Sequence, residues 1–108
     1  MAITRIEQGQ RISQGVVHGN MVYLAGIVAS ELGADAKGQT EQILRRIDEL
    51  LAKAGTSKAN ILSANVWVAD MRYYDPMNQA WDVWVDPGNK PARATVEARL
   101  ATPRHLVE

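Results

Sequence analysis

Few side chains in this sequence can do chemistry, and that narrows the choices. Cysteine is absent, and histidine occurs only as His18 and His105. A thiol nucleophile and a cysteine-bound zinc are excluded, while a histidine-rich metal site or a Ser-His-Asp triad has little to draw on. P-loop, G-x-G-x-x-G, G-x-S-x-G and H-E-x-x-H patterns do not occur. Arg93 is the most informative residue left. It alternates with Thr95, Glu97 and Arg99 along a strand-like run from Ala92 to Leu100, just after Pro91. A guanidinium offers a planar fork of donors that grips a carboxylate through two hydrogen bonds, which lysine cannot imitate. Two readings stand side by side. Arg93 is a structural arginine paired with Glu97 or with an acid of a neighbouring chain, or it is a clamp for a small carboxylate.

The other candidates have simpler readings. His18 falls in a hairpin turn and reads as a solvated turn residue. Trp67, Trp81 and Trp84 lie at strand and helix spacing, where core or interface packing is the first explanation. The Glu41/Arg45 and Arg45/Glu49 pairs read as a solvated helix face.

The elements that must position Arg93 can be read from periodicity. Ile12 to Val17 and Met21 to Val28 are strand-like runs separated by His18-Gly19-Asn20, a hairpin signal. Residues 29–38 are polar and glycine-containing, with Asp35 a candidate helix cap. Ile43, Leu44, Ile47, Leu50, Leu51 and Ala54 then recur at the helical period, and Gly55 sits where a C-terminal glycine belongs. Residues 61–69 alternate as a strand, with Leu62, Ala64, Val66 and Val68 on one face and Ser63, Asn65 and Trp67 on the other. Asp75-Pro76 reads as a cap and first residue of a second helix through about Val85, with Met77, Ala80, Trp81 and Trp84 as its apolar stripe. Asp86-Pro87-Gly88-Asn89 stops it. In the last strand, alternation assigns Ala92, Ala94, Val96, Ala98 and Leu100 to one face. It puts Arg93, Thr95, Glu97 and Arg99 on the side away from the helices. His105 to Glu108 reads as the start of a further strand.

The predicted order is strand, strand, helix, strand, helix, strand, strand: an α+β sheet with both helices packed on one face. Its other face carries small and polar residues, which are either wet or buried in an oligomer. The 108 residues fit one domain, 1–108, whose C-terminal strand is expected to lack its last few residues. A chain of this size has a thin core and gains from self-association. Apolar residues are 46% and charged residues 22%, ordinary globular usage. No apolar run is long enough to span a bilayer, so no membrane partner is expected. Twelve basic residues balance twelve acidic ones without a basic patch. Nucleic acid is therefore not an expected partner, since phosphate neutralisation supplies most of that affinity. Lack of cysteine suits a reducing, cytoplasmic location.

Taken together, these residues resemble the RidA (YjgF) family of imine deaminases, and the resemblance covers essentially the whole chain. It runs through Gly19-Asn20-Met21, Ala25-Gly26, the first amphipathic helix, Val66-Trp67-Val68-Ala69-Asp70 and Asn78. Its most specific part is Pro91-Ala92-Arg93-Ala94-Thr95-Val96, followed by Leu100 and by Glu108, fifteen residues after the arginine. Trp81-x-x-Trp84 looks most like a YoaB-like branch.

The resemblance implies a chorismate-mutase-like fold, with three subunits' sheets forming a trimeric barrel and a site at each interface. It implies cofactor-free, metal-free hydrolysis of 2-imino acids such as 2-iminopropanoate to 2-oxo acids and ammonia. Arg93 would anchor the substrate carboxylate, Glu108 would be the catalytic group that activates water, and Asn78 and Thr95 would add polar contacts. Several positions depart from the family pattern. Its Ser-Gly-Gln is Ala25-Gly26-Ile27 here, its early tyrosine is Ile12, and its cysteine two residues after the arginine is Thr95. The expected function is thus deamination of small 2-imino acids by a homotrimer. The alternative is a non-catalytic homotrimer that binds a small carboxylate metabolite as sensor or carrier. RNA cleavage, a third idea, fits poorly with balanced charge.

Overall fold

The computed structural model describes residues 2–108. Its strands are β1 (Ile3–Gln8), β2 (Ser13–His18), β3 (Met21–Leu24), β4 (Ser63–Val68) and β5 (Ala92–Glu97), and its helices are α1 (Ala36–Lys53) and α2 (Tyr74–Trp84). Hydrogen bonding divides the strands into an antiparallel β1-β2-β3 sheet and a parallel β4-β5 pair. The final residues pair antiparallel with the free edge of β4 through a bridge between Val68 and Val107. The mixed α+β class is as expected. No helix is long and apolar enough to cross a membrane.

β1 was not anticipated. Only Ile6 of its six residues is buried, so its pattern carries almost no alternation to detect. The predicted hairpin is present, its first arm shifted by one residue and its second arm shorter. Gly19 adopts φ +62° and, with Asn20, closes a two-residue turn, while His18 ends β2 opposite Met21. After Leu24 the chain leaves the ladder, and Ile27 and Ala29 turn into the core.

The Asp35 carboxylate accepts the Gly38 N–H at 2.8 Å and starts α1. Gly55, at φ +83°, follows its end. Ile43, Leu44, Leu50 and Leu51 are buried on the predicted face. Leu50, Val68, Met77 and Val107 are almost fully enclosed and join Ile6, Ile27, Ala36 and Ile43 in one core. Truncating Leu50 to alanine there would cost about 2–5 kcal/mol. The charged pairing differs from expectation. Arg46, not Arg45, bonds Glu49 at 3.1 Å, and Arg46 and Lys53 together grip Glu7. That grip holds Glu7 at φ +49°, a left-handed conformation that costs roughly 1–3 kcal/mol for a non-glycine residue.

α2 begins one residue earlier than Asp75. A short 3₁₀ turn (Met71–Tyr73) leads into it, capped by Asp70, whose carboxylate accepts the Arg72 N–H at 2.9 Å. Asp75 and Pro76 are the second and third helical residues. There a carboxylate meets the positive end of the helix dipole, and proline's missing N–H costs nothing.

The main correction concerns β5, which ends at Glu97. The parallel register sets Arg93 beside Ala64, Thr95 beside Val66 and Glu97 beside Val68. Val68 is fully buried, so Arg93, Thr95 and Glu97 share the face that looks toward the helices. The residues expected to pack inward, Ala92, Ala94 and Val96, are exposed. The outward face therefore carries Ser63, Asn65, Trp67, Ala92, Ala94 and Val96, more apolar than polar. Leu62 lies beyond the core and is 69% exposed.

Candidate anion site on the helix side of β5

Arg93 leaves β5 toward α2. Its guanidinium carbon sits 4.9 Å from the centroid of the Trp81 ring and 5.9 Å from that of Tyr74. Its Nη1 lies 3.8 Å from the Met77 sulfur, a weak contact for so strong a donor. Tyr74, Met77 and Trp81 occupy positions i, i+3 and i+7 of one helical stripe, and Asn78 lies between them. An aromatic face attracts the cation and limits its rotamers without using the outward edge of its donor fork.

No acidic side chain claims that fork. Among the described residues Arg93 forms no salt bridge, and Glu97 is used elsewhere, accepting the Met71 N–H at 2.9 Å. The intrachain Arg93–Glu97 pair allowed by the sequence is therefore not formed. Two residues along the same face, the Thr95 hydroxyl is buried and has no hydrogen-bond partner. Such a hydroxyl costs about 1–3 kcal/mol unless something satisfies it. A free guanidinium and an orphaned hydroxyl on one strand face, with Asn78 on the helix opposite, form a donor-rich shelf suited to a small anion.

Glu108 lies elsewhere. Its backbone exchanges hydrogen bonds of 2.8 and 2.9 Å with Trp67, so it shares the outward face with Trp67 while Val107 turns into the core. Its carboxylate stands directly over Gly26, where even a methyl group would collide with Oε2. Gly26 and Glu108 thus mark the seam between the two sheets. From Arg93 the path to Glu108 crosses two strand spacings and three residues, a Cα separation of roughly 14 Å, and the side chains leave opposite faces. Arg93 and Thr95 share one face of β5 and Asn78 belongs to α2, while Glu108 leaves the opposite face. Neither of two surface concavities contains Arg93. One lies over the β1–β2 turn at Glu7, Arg11 and Ile12, the other past the end of β5 at Arg99, Thr102 and His105. The Arg93 shelf is open in the single chain.

Two of the sequence departures change meaning. Ile27 is buried beside Ile6, Val68 and Val107, so it is a core choice and presents nothing to the shelf. Ile12 is 53% exposed at the β1–β2 turn. Tyr74 and Trp81, which seat the guanidinium, were not foreseen in that role. Their spacing on α2 was visible, but only the β4–β5 register brings Arg93 beneath them.

Over residues 2–108 the sequence matches the family model described as Endoribonuclease L-PSP. The chain belongs to this family. Members known as RutC family proteins include one from Haemophilus influenzae, 48% identical across all of this chain and 94% of its own length. The RutC family protein YoaB of Escherichia coli is 44% identical over the same shares. Among solved structures, a YjgF family member from Neisseria meningitidis superposes with a TM-score of 0.96 at 41% identity, covering 99% of this chain and 89% of that one. A Mycobacterium tuberculosis member of the YjgF/YER057c/UK114 family superposes at 0.87 with 26% identity, over 98% of this chain and 93% of that one. The fold expected from the RidA (YjgF) resemblance is therefore the fold of this L-PSP family chain.

Proposed function

We propose that this protein hydrolyses small reactive 2-imino acids to 2-oxo acids and ammonia, without a cofactor, as a cytoplasmic homotrimer. The observation that carries the reading is the unclaimed Arg93 fork on its Trp81–Tyr74 seat, beside the orphaned Thr95 hydroxyl. Arg93 binds the substrate carboxylate through two charge-assisted hydrogen bonds and fixes its orientation. Thr95 and Asn78 supply further polar contacts.

The imine carbon is electrophilic, so the protein needs only to place a water molecule and manage its protons. Glu108 takes a proton as the water oxygen bonds to the imine carbon. That proton passes to nitrogen and gives a carbinolamine; its hydroxyl proton then moves through Glu108 to the amino nitrogen as the C=O bond forms and the C–N bond breaks, and ammonia departs from the 2-oxo acid. Because Glu108 and Arg93 lie on opposite faces of one chain, the water-activating carboxylate at a given Arg93 comes from a neighbouring subunit. The open shelf and the exposed Ala92, Ala94 and Val96 are consistent with such an interface.

The test is to generate 2-iminopropanoate in situ and follow 2-oxo acid release. Acceleration over buffer that disappears in a well-folded Arg93→Ala variant is expected. Wild-type turnover by that variant refutes the clamp. The rival reading, a non-catalytic carboxylate carrier, is favoured by Ala25, which offers no hydroxyl where the family has serine. Saturable carboxylate binding without any acceleration would establish that rival. RNA cleavage has less support: charge is balanced, and Arg46 and Lys53 are engaged by Glu7.

A further inference from the structure

Gln39 lies in α1 and has no exposed surface. Its amide nitrogen donates toward the carbonyls of Leu32 (3.3 Å), Ala34 (3.1 Å) and Arg104 (3.0 Å), while its oxygen accepts the Leu106 N–H at 3.0 Å. In the same segment the Leu106 carbonyl accepts the Ala69 N–H at 2.9 Å and Glu108 pairs with Trp67. The segment 104–108 is thus a ribbon held to β4 through Leu106 and Glu108, and to α1 by the Gln39 side chain at Arg104 and Leu106. That side chain also ties down the 32–34 loop, which continues from Gly26. The Glu108 carboxylate over Gly26 therefore depends on Gln39 from both sides: through its own strand, and through the loop that carries the glycine. Gln42, one turn-step further along α1, bonds Glu31 at 2.9 Å but makes no bond to the ribbon.

We infer that Gln39 is a positioning residue that sets where the Glu108 carboxylate stands over Gly26, and hence how it meets the attacking water. The inference rests on the deaminase reading for its kinetic consequence, but not for its structural one.

Gln39→Met removes the donors and the acceptor at similar volume. In the folded variant kcat for imine hydrolysis is expected to fall about tenfold, an order-of-magnitude figure for a displaced catalytic group, with KM and the affinity for pyruvate unchanged. The Glu108 carboxyl resonance, followed by carbon NMR at one fixed pH, should move. On a Glu108→Gln background Gln39→Met should cost no further activity. An unmoved Glu108 carboxyl resonance with unchanged kcat overturns the inference, as do losses that multiply in the double variant. If the wild type hydrolyses no imine, the functional reading fails and the Glu108 carboxyl resonance alone decides the role of Gln39. Should Gln39→Met not fold, Gln39→Glu serves. Burial raises a carboxyl pKa, and the protonated form can still accept from Leu106 and donate to one carbonyl. Its kcat should fall, relative to wild type, as pH rises through that pKa. A profile parallel to the wild type overturns the inference.

Discussion

Arg93 and Glu108 leave the β4–β5 ribbon on opposite faces, with β4 between their strands. A rotamer change cannot bring them to one substrate within a chain, because a sheet separates them. Fifteen residues apart in sequence, they suit the two sides of a contact between copies.

Mixing subunits tests this. Arg93→Ala and Glu108→Gln chains are each expected to be inactive alone. Refolded together in equal amounts, they form assemblies in which about one interface in four holds both native groups. Recovery of about a quarter of wild-type kcat is the expected result, and no recovery refutes the two-chain site.

Gly26→Ala pushes a methyl group against the Glu108 carboxylate. Turnover should drop toward that of Glu108→Gln, while carboxylate binding at Arg93 stays near wild type by calorimetry. Gly33 is the control, since a Cβ there meets nothing within 4 Å. Gly33→Ala should leave turnover alone and add about 0.4–1 kcal/mol of stability in urea titration through the unfolded chain's lost entropy.

Thr95→Val separates stability from binding. The buried hydroxyl has no partner in the chain, so an apolar group of the same shape should be neutral or stabilising in thermal melts. Affinity for a small 2-oxo acid should nevertheless weaken severalfold. A clear loss of stability with unchanged affinity would show that the hydroxyl serves the fold.

Glu7 makes stability depend on pH. Hydrogen bonds from Arg46 and Lys53 hold its pKa at about 2, below the ordinary 4.5. A depressed carboxylate pKa gives stability that is present above the unfolded value and lost as pH falls through the folded one. Melting temperature should therefore decline between about pH 4.5 and 2 more steeply in wild type than in Glu7→Gln. High salt should narrow the difference, because the carboxylate is partly solvated. Equal slopes at low salt would show that the contacts contribute nothing.

What could be read from the sequence was whatever a single element determines. α1 followed from its own 3.6-residue period, and its ends from Asp35 and Gly55. Arg93 stood out by residue type, and only the family resemblance favoured a clamp over a structural arginine. Its direction could not be read, because alternation fixes which residues share a face but not which face meets the helices. The parallel register with Ala64, Val66 and Val68 decides that, and register belongs to a pair of strands. β1 was missed because five of its six residues are exposed. Gln39 gave no sequence signal, because its burial comes from the loop at 32–34 and the segment 104–106, which are distant from it in sequence or outside its helix.

The seat of Arg93 gives this protein an optical signal of its own. Indole emission responds to charge and water beside the ring, and the guanidinium rests 4.9 Å from Trp81. Trp81 in turn lies 5.5 Å from Trp84, close enough for excitation to pass between the two rings. An anion drawing the cation outward changes what Trp81 senses. Occupancy can thus be followed by intrinsic fluorescence in unlabelled protein, with Arg93→Ala as the silent reference.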